Sequence, residues 1–143
     1  MECNDLTPLV GSWRAKSVGL NWSDTGERIE PYGPSPEGFM VLEPGGRVMF
    51  LFANGGRPQP TDNADRAALY EAMVAYTGTV RMDGPGRFVK TVDVAWNPGF
   101  IGEQIRLFDL QGDRLKIWTL ETKQPQFGDR SFVADIIWVR ESE

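Results

Sequence analysis

Arg106 is the residue whose type and position ask most of the chain around it. In the run Gly102-Glu-Gln-Ile-Arg-Leu-Phe-Asp-Leu110 it alternates with apolar side chains, and Gln104 stands two places before it. Strand periodicity puts Gln104, Arg106 and Phe108 on one face. A guanidinium cannot shed its charge by losing a proton, so an enclosed one requires a carboxylate, several neutral acceptors or water. Turned inward, Arg106 could hold a carboxylate, enolate or tetramate-like anion, with Gln104 taking a second polar atom. An internal ion pair or a solvent-facing Arg106 are the competing readings. Lys90 lies between Phe88 and Val92 on the more apolar side of its strand. Desolvated, its amine would act as a base; at a rim, it would snorkel to water. Tyr76, at the expected start of a strand, offers a phenol to the same interior. Phe50, Phe108, Trp96 and Tyr32 supply aromatic wall, Tyr32 from a proline-rich loop and Trp96 beside Asn97-Pro98-Gly99.

Composition removes several chemistries. No histidine occurs, which excludes histidine-based triads and ordinary zinc sites. Cys3 is the only cysteine, so there is no internal disulfide and no cysteine-ligated cluster. The acidic residues lack calcium-loop spacing, and no phosphate-loop motif occurs. No metal and no cofactor are expected. A net charge of −5 argues against a nucleic-acid partner. The start of the chain has neither a basic segment nor an apolar one, and no run approaches a membrane span. These features predict a cytoplasmic protein without membrane insertion. At 143 residues the chain reads as one domain over 1–143.

The elements that must position these residues are strands. Short apolar runs separated by glycine and proline predict strands over 11–22, 38–42, 47–53, 76–82, 87–96, 101–110, 113–120 and 132–140. Gln111-Gly112 is read as the turn of a hairpin in which Leu110 pairs with Asp113 and Phe108 with Leu115. Gln104, Arg106, Phe108, Leu115 and Ile117 then share its inner face, while Trp118 points outward as a candidate dimer contact. Phe88, Val92, Val94 and Trp96 are assigned to one face of the strand before it. Asp62 is placed to cap a helix from Asn63 to about Ala75, with Leu69, Met73 and Tyr76 at helical spacing. The pattern predicts an all-β chain: an eight-stranded antiparallel up-and-down barrel with one short helix inserted around residues 63–75.

The chain resembles the lipocalin-like domain family, small bacterial and fungal barrels related to lipocalins and fatty-acid-binding proteins. Gly11-Ser12-Trp13 matches its Gly-x-Trp start, Pro31-Tyr32-Gly33 its next loop, and Ala75-Tyr76-Thr77-Gly78-Thr79 its strand after the helix. Asn97-Pro98 through Arg106, Gly112-Asp113-Arg114-Leu115 and Ile137-Trp138-Val139-Arg140 complete the likeness. Lys90-Thr91 stands where members often carry histidines, so no histidine role carries over. The resemblance implies a ligand cavity, and a base closed by Gly11, Trp13 and Arg140, with the guanidinium over the indole.

Two functions fit. One is binding of an apolar small molecule with a polar or anionic end, fixed by Arg106 and Gln104 among Phe50, Trp96, Tyr32 and Phe108. The other is a cofactor-independent cyclase or isomerase of a polyketide- or terpenoid-like substrate in secondary metabolism. There Arg106 would stabilise an oxyanion, Tyr76 or Tyr32 would donate a proton, and a desolvated Lys90 would act as a base. A barrel filled by its own side chains, serving as an interaction domain, is the plainest alternative.

Overall fold

In the computed structural model, which describes residues 5–142, the backbone closes a single antiparallel sheet into a barrel. Its elements are β1 (Gly11–Trp22), β2 (Arg28–Ile29), β3 (Glu37–Leu42), β4 (Arg47–Ala53), α1 (Asn63–Glu71), β5 (Met73–Met82), β6 (Arg87–Ala95), β7 (Gly102–Gln111), β8 (Arg114–Thr119) and β9 (Phe132–Ser142). Eight strands run in sequence order from β1 through β3 to β9, and β9 pairs back along β1. The β1–β9 pairing closes the barrel, as the sequence pattern predicts. β2 was not expected. It adds two residues to β1 through Leu20↔Ile29 and Asn21↔Arg28, too short a run to show periodicity. Cys3 lies outside the described residues.

β1 is the longest strand, and it pairs with β2, β3 and β9. Gly11–Arg14 pair with β3, whereas Ser12–Trp22 pair with β9, with an irregularity at Ala15–Ser17. Beyond Arg14, β1 and β3 therefore part company. The loop from β2 to β3 spans that divergence and carries Tyr32 into the core, its ring 4.8 Å from that of Phe52. At the base, the Arg140 guanidinium lies 4.2 Å from the centre of the Trp13 ring. Arg140 also donates to the carbonyls of Val10 and Pro8, at 3.1 and 3.0 Å, and Trp13 Nε1 donates to Leu9 O at 3.0 Å. These bonds fasten the Thr7–Leu9 turn under the barrel. Gly11, at φ +134°, passes within 3.2 Å of an Arg140 nitrogen where a Cβ would stand.

Three local expectations need correction. The β7–β8 hairpin turns at Gly112-Asp113, so Gln111 pairs with Arg114, Phe108 with Ile117 and Arg106 with Thr119. The slip from the expected register is two residues, which preserves every facing because side chains alternate with period two. The helix ends at Glu71, not Ala75, and none of its residues is buried. Met73 and Tyr76 belong to β5, where Ala53↔Met73 and Phe50↔Tyr76 extend the ladder with β4 and bury Val74 and Tyr76. Asp62 does cap the helix, accepting from Asp65 N at 2.8 Å. Last, Val92 is buried but Val94 is 63% exposed. The β5–β6 register shifts between Thr77 and Gly78, so Asp93 and Val94 both face out and Ala95 returns inward beside Tyr76.

Phe39, Val41, Met49 and Leu51 are exposed on the outer face of β3 and β4, as the cross-strand pairs Phe39↔Leu51 and Val41↔Met49. Trp118 is half-buried on the outside, with the Lys116 ammonium 5.4 Å from its ring.

Gly78 makes the β5–β6 bulge feasible, since a Cβ there would stand 2.2 Å from Thr91 O. Gly78→Ala should destabilise the fold by about 1–3 kcal/mol through forced backbone displacement, read as a lower urea midpoint at unchanged slope. A variant as stable as the parent would show that the bulge does not depend on this glycine.

Candidate functional site

Inward residues of β4, β5 and β6 meet at Lys90. On β6, its amine is hydrogen-bonded to the Tyr76 hydroxyl on the neighbouring β5. The amine stands 4.9 Å from the Phe50 ring and 4.6 Å from the Tyr76 ring, and the residue is 6% exposed. Phe50, from β4, fills the space between Tyr76 and Trp138, with ring centres 4.5 and 5.8 Å away. On β7, Arg106 donates to Gln104 Oε1 at 2.6 Å and to the Ile105 carbonyl at 2.9 Å. Gln104 is itself held by donation to Phe100 O at 2.9 Å. The amide thus spends its oxygen on Arg106 and its nitrogen on the backbone.

These groups line an apolar cavity of about 80 Å³. Its walls include Tyr32, Phe50, Tyr76, Lys90, Arg106 and Trp138. By the usual size criterion it has room for several waters. No aspartate or glutamate lines it, and neither Lys90 nor Arg106 takes part in an ion pair among the described residues. The acidic groups lie outside, as in Arg47–Asp93 and Arg28–Asp135, both at 2.8 Å. Among the described residues, no group of three or more acidic, cysteine or histidine side chains is placed to hold a metal.

A second space, a groove of about 360 Å³, opens beside the first. It exists because β8 stops at Thr119: Gly102–Ile105 of β7 pair with β6 but have no β8 partner. Residues 99–101 and the loop 120–125 form its other walls. Phe100, Arg106 and Gln124 border both spaces, so Arg106 stands at the junction of the groove with the interior.

Electrostatics follow from burial without counter-ions. Desolvation holds the Lys90 amine well below the ordinary lysine value of 10.5, and the Arg106 charge adds to this. Burial pushes the Tyr76 phenol up to about 12, against the pull of Arg106. Burial thus works against the charged form of each group, while the amine donates to the phenol oxygen. Burial also lowers Arg106, opposed by Tyr76, and the guanidinium nevertheless keeps its charge.

Alternation in the sequence thus places Arg106, Lys90, Tyr76 and Phe50 in one cavity, with Tyr32 arriving from its loop. Trp96, Gln104 and Phe108 are not among the cavity walls. Trp96 instead ties the helix to the turn after β6: its Nε1 donates to Tyr70 O at 2.9 Å and its carbonyl accepts from the Tyr70 hydroxyl at 3.2 Å. Phe108 packs on Phe88, with ring centres 5.8 Å apart. Trp138 contributes a polar atom that sequence reasoning did not single out. Its Nε1–H is buried with no partner. The alternation of Ala134, Ile136 and Trp138, all three lining the cavity, was the available signal. Phe100 and Gln124 come from irregular segments, where no periodicity could reveal them.

A family model described as a lipocalin-like domain matches residues 10–141. No curated protein matches the chain.

Lys90 should give stability a measurable pH slope. Where the buried amine is neutral and the unfolded one charged, the unfolded chain binds the extra proton, so stability rises with pH by up to about 1.4 kcal/mol per unit. Below the folded value the slope vanishes with the full penalty in place; near 10.5 the penalty is gone. Lys90→Met should remove the slope and gain most on the parent at the low end of that window. Urea titrations from about pH 6 to about pH 9 test this, and parallel curves would refute the neutral amine.

Proposed function

Because the chain belongs to the lipocalin-like domain family and its barrel encloses an apolar cavity, we propose that it binds a small apolar molecule whose anionic end meets Arg106. The observation that carries this reading is a half-buried guanidinium at the junction of groove and cavity, paired with no carboxylate among the described residues: no acidic side chain lines the cavity, and Glu103 and Glu121 lie on the groove side. A carboxylate or enolate arriving there meets a fixed positive charge, already oriented by Gln104, in surroundings that strengthen charge-assisted hydrogen bonds. The apolar body passes inward along Phe50 and Tyr32, and the unpartnered Trp138 Nε1–H supplies one further donor. This pattern, mostly apolar wall with a few placed polar groups, suits orientation of a ligand. The barrel's shape fits a cavity for a small hydrophobic molecule without asking chemistry of any side chain.

A second reading rests on the Lys90–Tyr76 pair. An amine and a phenol sharing a hydrogen bond in a cavity can pass a proton to or from a substrate folded there, while Arg106 stabilises developing oxyanion charge. That is the chemistry of a cofactor-independent cyclase or isomerase. Incubation with a host metabolite extract, followed by mass spectrometry of bound and free fractions, separates the two. A compound retained unchanged supports binding. An isomeric or dehydrated product in excess over protein supports catalysis.

Arg106→Leu tests the anionic end directly. Affinity for hexanoate should fall about 10- to 100-fold, whereas affinity for 1-hexanol should change little. Tryptophan fluorescence reports both, since Trp138 lines the cavity. Equal loss for the two ligands, or none, would remove Arg106 as the anion partner.

A further inference from the structure

Of the four lysines in the chain, Lys16, Lys116 and Lys123 are exposed, and only Lys90 is buried. A lysine so placed usually answers to a carboxylate, and here none lines the cavity. Its amine instead meets a phenol and two aromatic rings, with its remaining side open to the apolar space. We propose that Lys90 is a covalent site for carbonyl compounds: it condenses reversibly with an apolar aldehyde or ketone in the cavity to form an imine.

The groups needed for each step are already assembled. The Nζ lone pair attacks the carbonyl carbon, the C=O electron pair moves to oxygen, and transfer of one N–H proton to that oxygen gives a carbinolamine. The C–O bond then breaks, and oxygen leaves as water with a proton from the Tyr76 hydroxyl. The second N–H proton returns to the phenolate. One amine and one carbonyl give one imine and one water, and no oxidant or reductant is required. Desolvation favours the nucleophile by holding the amine well below its ordinary basicity, as apolar pockets and neighbouring cations do for reactive lysines. The charge of Arg106 favours the oxygen anion formed in the first step. The walls around Lys90, mainly Phe50, Phe88 and Val80, select an apolar carbonyl compound over a sugar. This goes beyond anion binding, because a neutral aldehyde suffices and Arg106 then serves the reaction and not retention.

The test treats the purified protein near neutral pH with hexanal and sodium cyanoborohydride, which fixes an imine as a stable secondary amine, and maps the modified lysines by mass spectrometry. Lys90 should carry at least about tenfold more label than any exposed lysine, since the exposed amines are almost fully protonated. Tyr76→Phe should slow labelling of Lys90 without redirecting it to the surface. Labelling confined to Lys16, Lys116 and Lys123 overturns the proposal, and the parent protein alone decides this, even if Lys90 variants fold poorly. Hexanol and hexanoate binding, followed in parallel, keeps the outcomes apart. If both still bind while Lys90 stays unlabelled, the covalent site falls and the binding reading stands; if Lys90 is labelled while neither binds, the binding reading falls and the covalent site stands; if Lys90 is unlabelled and neither binds, both fall.

Discussion

A positive charge inside a closed barrel is the constraint on which the site depends. Closure surrounds the interior with strands, so an interior cation must find partners among groups the strands supply. Arg106 takes the side-chain oxygen of Gln104 and a backbone carbonyl. Neutral acceptors offset part of the desolvation of a guanidinium but do not cancel its charge, unlike a carboxylate. Lys90 resolves the same problem differently, because an ammonium can discharge and a guanidinium cannot. With Tyr76 above its ordinary range and Lys90 below its own, the cavity holds one permanent charge and one reversible one.

The fold determines where that permanent charge is felt. β8 is four residues shorter than β7, which leaves the first residues of β7 without a partner and opens the groove. Arg106 forms the last rung before the gap, opposite Thr119. One rung further in, it would be sealed; one further out, it would be solvated and screened. The opposite end is fastened by Trp13, Arg140 and the Thr7–Leu9 turn. A second apolar cluster of Leu20, Trp22 and Phe132 packs where β1 ends and β9 begins, with Arg130 4.1 Å from the centre of the Trp22 ring. The ladder left short between β7 and β8 opens the groove on the side where Arg106 stands.

How much of this was legible in the sequence depends on which symmetry carried the information. Period two is robust. An error of two residues in the β7–β8 register left Arg106 facing inward, because even slips preserve facing. The same rule failed on β6, where one bulge inverted Val94, and a bulge leaves no trace in alternation except the glycine it needs opposite, here Gly78. The helix was over-extended because Leu69, Met73 and Tyr76 fit a helical period by coincidence, while the ladder with β4 decides from Met73 onward. Partnership was the least legible property. Alternation put Gln104 near Arg106, but it could not reveal that the amide oxygen is already committed to the guanidinium. Nor could it show that Trp138 keeps a buried donor unpaired.

The reversible and the permanent charge are coupled, and this orders the ligand chemistries proposed for the cavity. An anion seated on Arg106 cancels the positive field that helps to keep Lys90 neutral, and it offers the amine a counter-ion. Lys90 then gains a proton, its lone pair is occupied, and addition to a carbonyl stops. A neutral carbonyl compound leaves the field in place, and the amine stays nucleophilic. On these two proposals the cavity would distinguish acids from aldehydes of one skeleton by protonation and not by shape, holding the first through Arg106 and reacting with the second through Lys90. The absence of an acidic side chain underlies both behaviours, because a single aspartate among the cavity walls would neutralise Arg106 and protonate Lys90 at once.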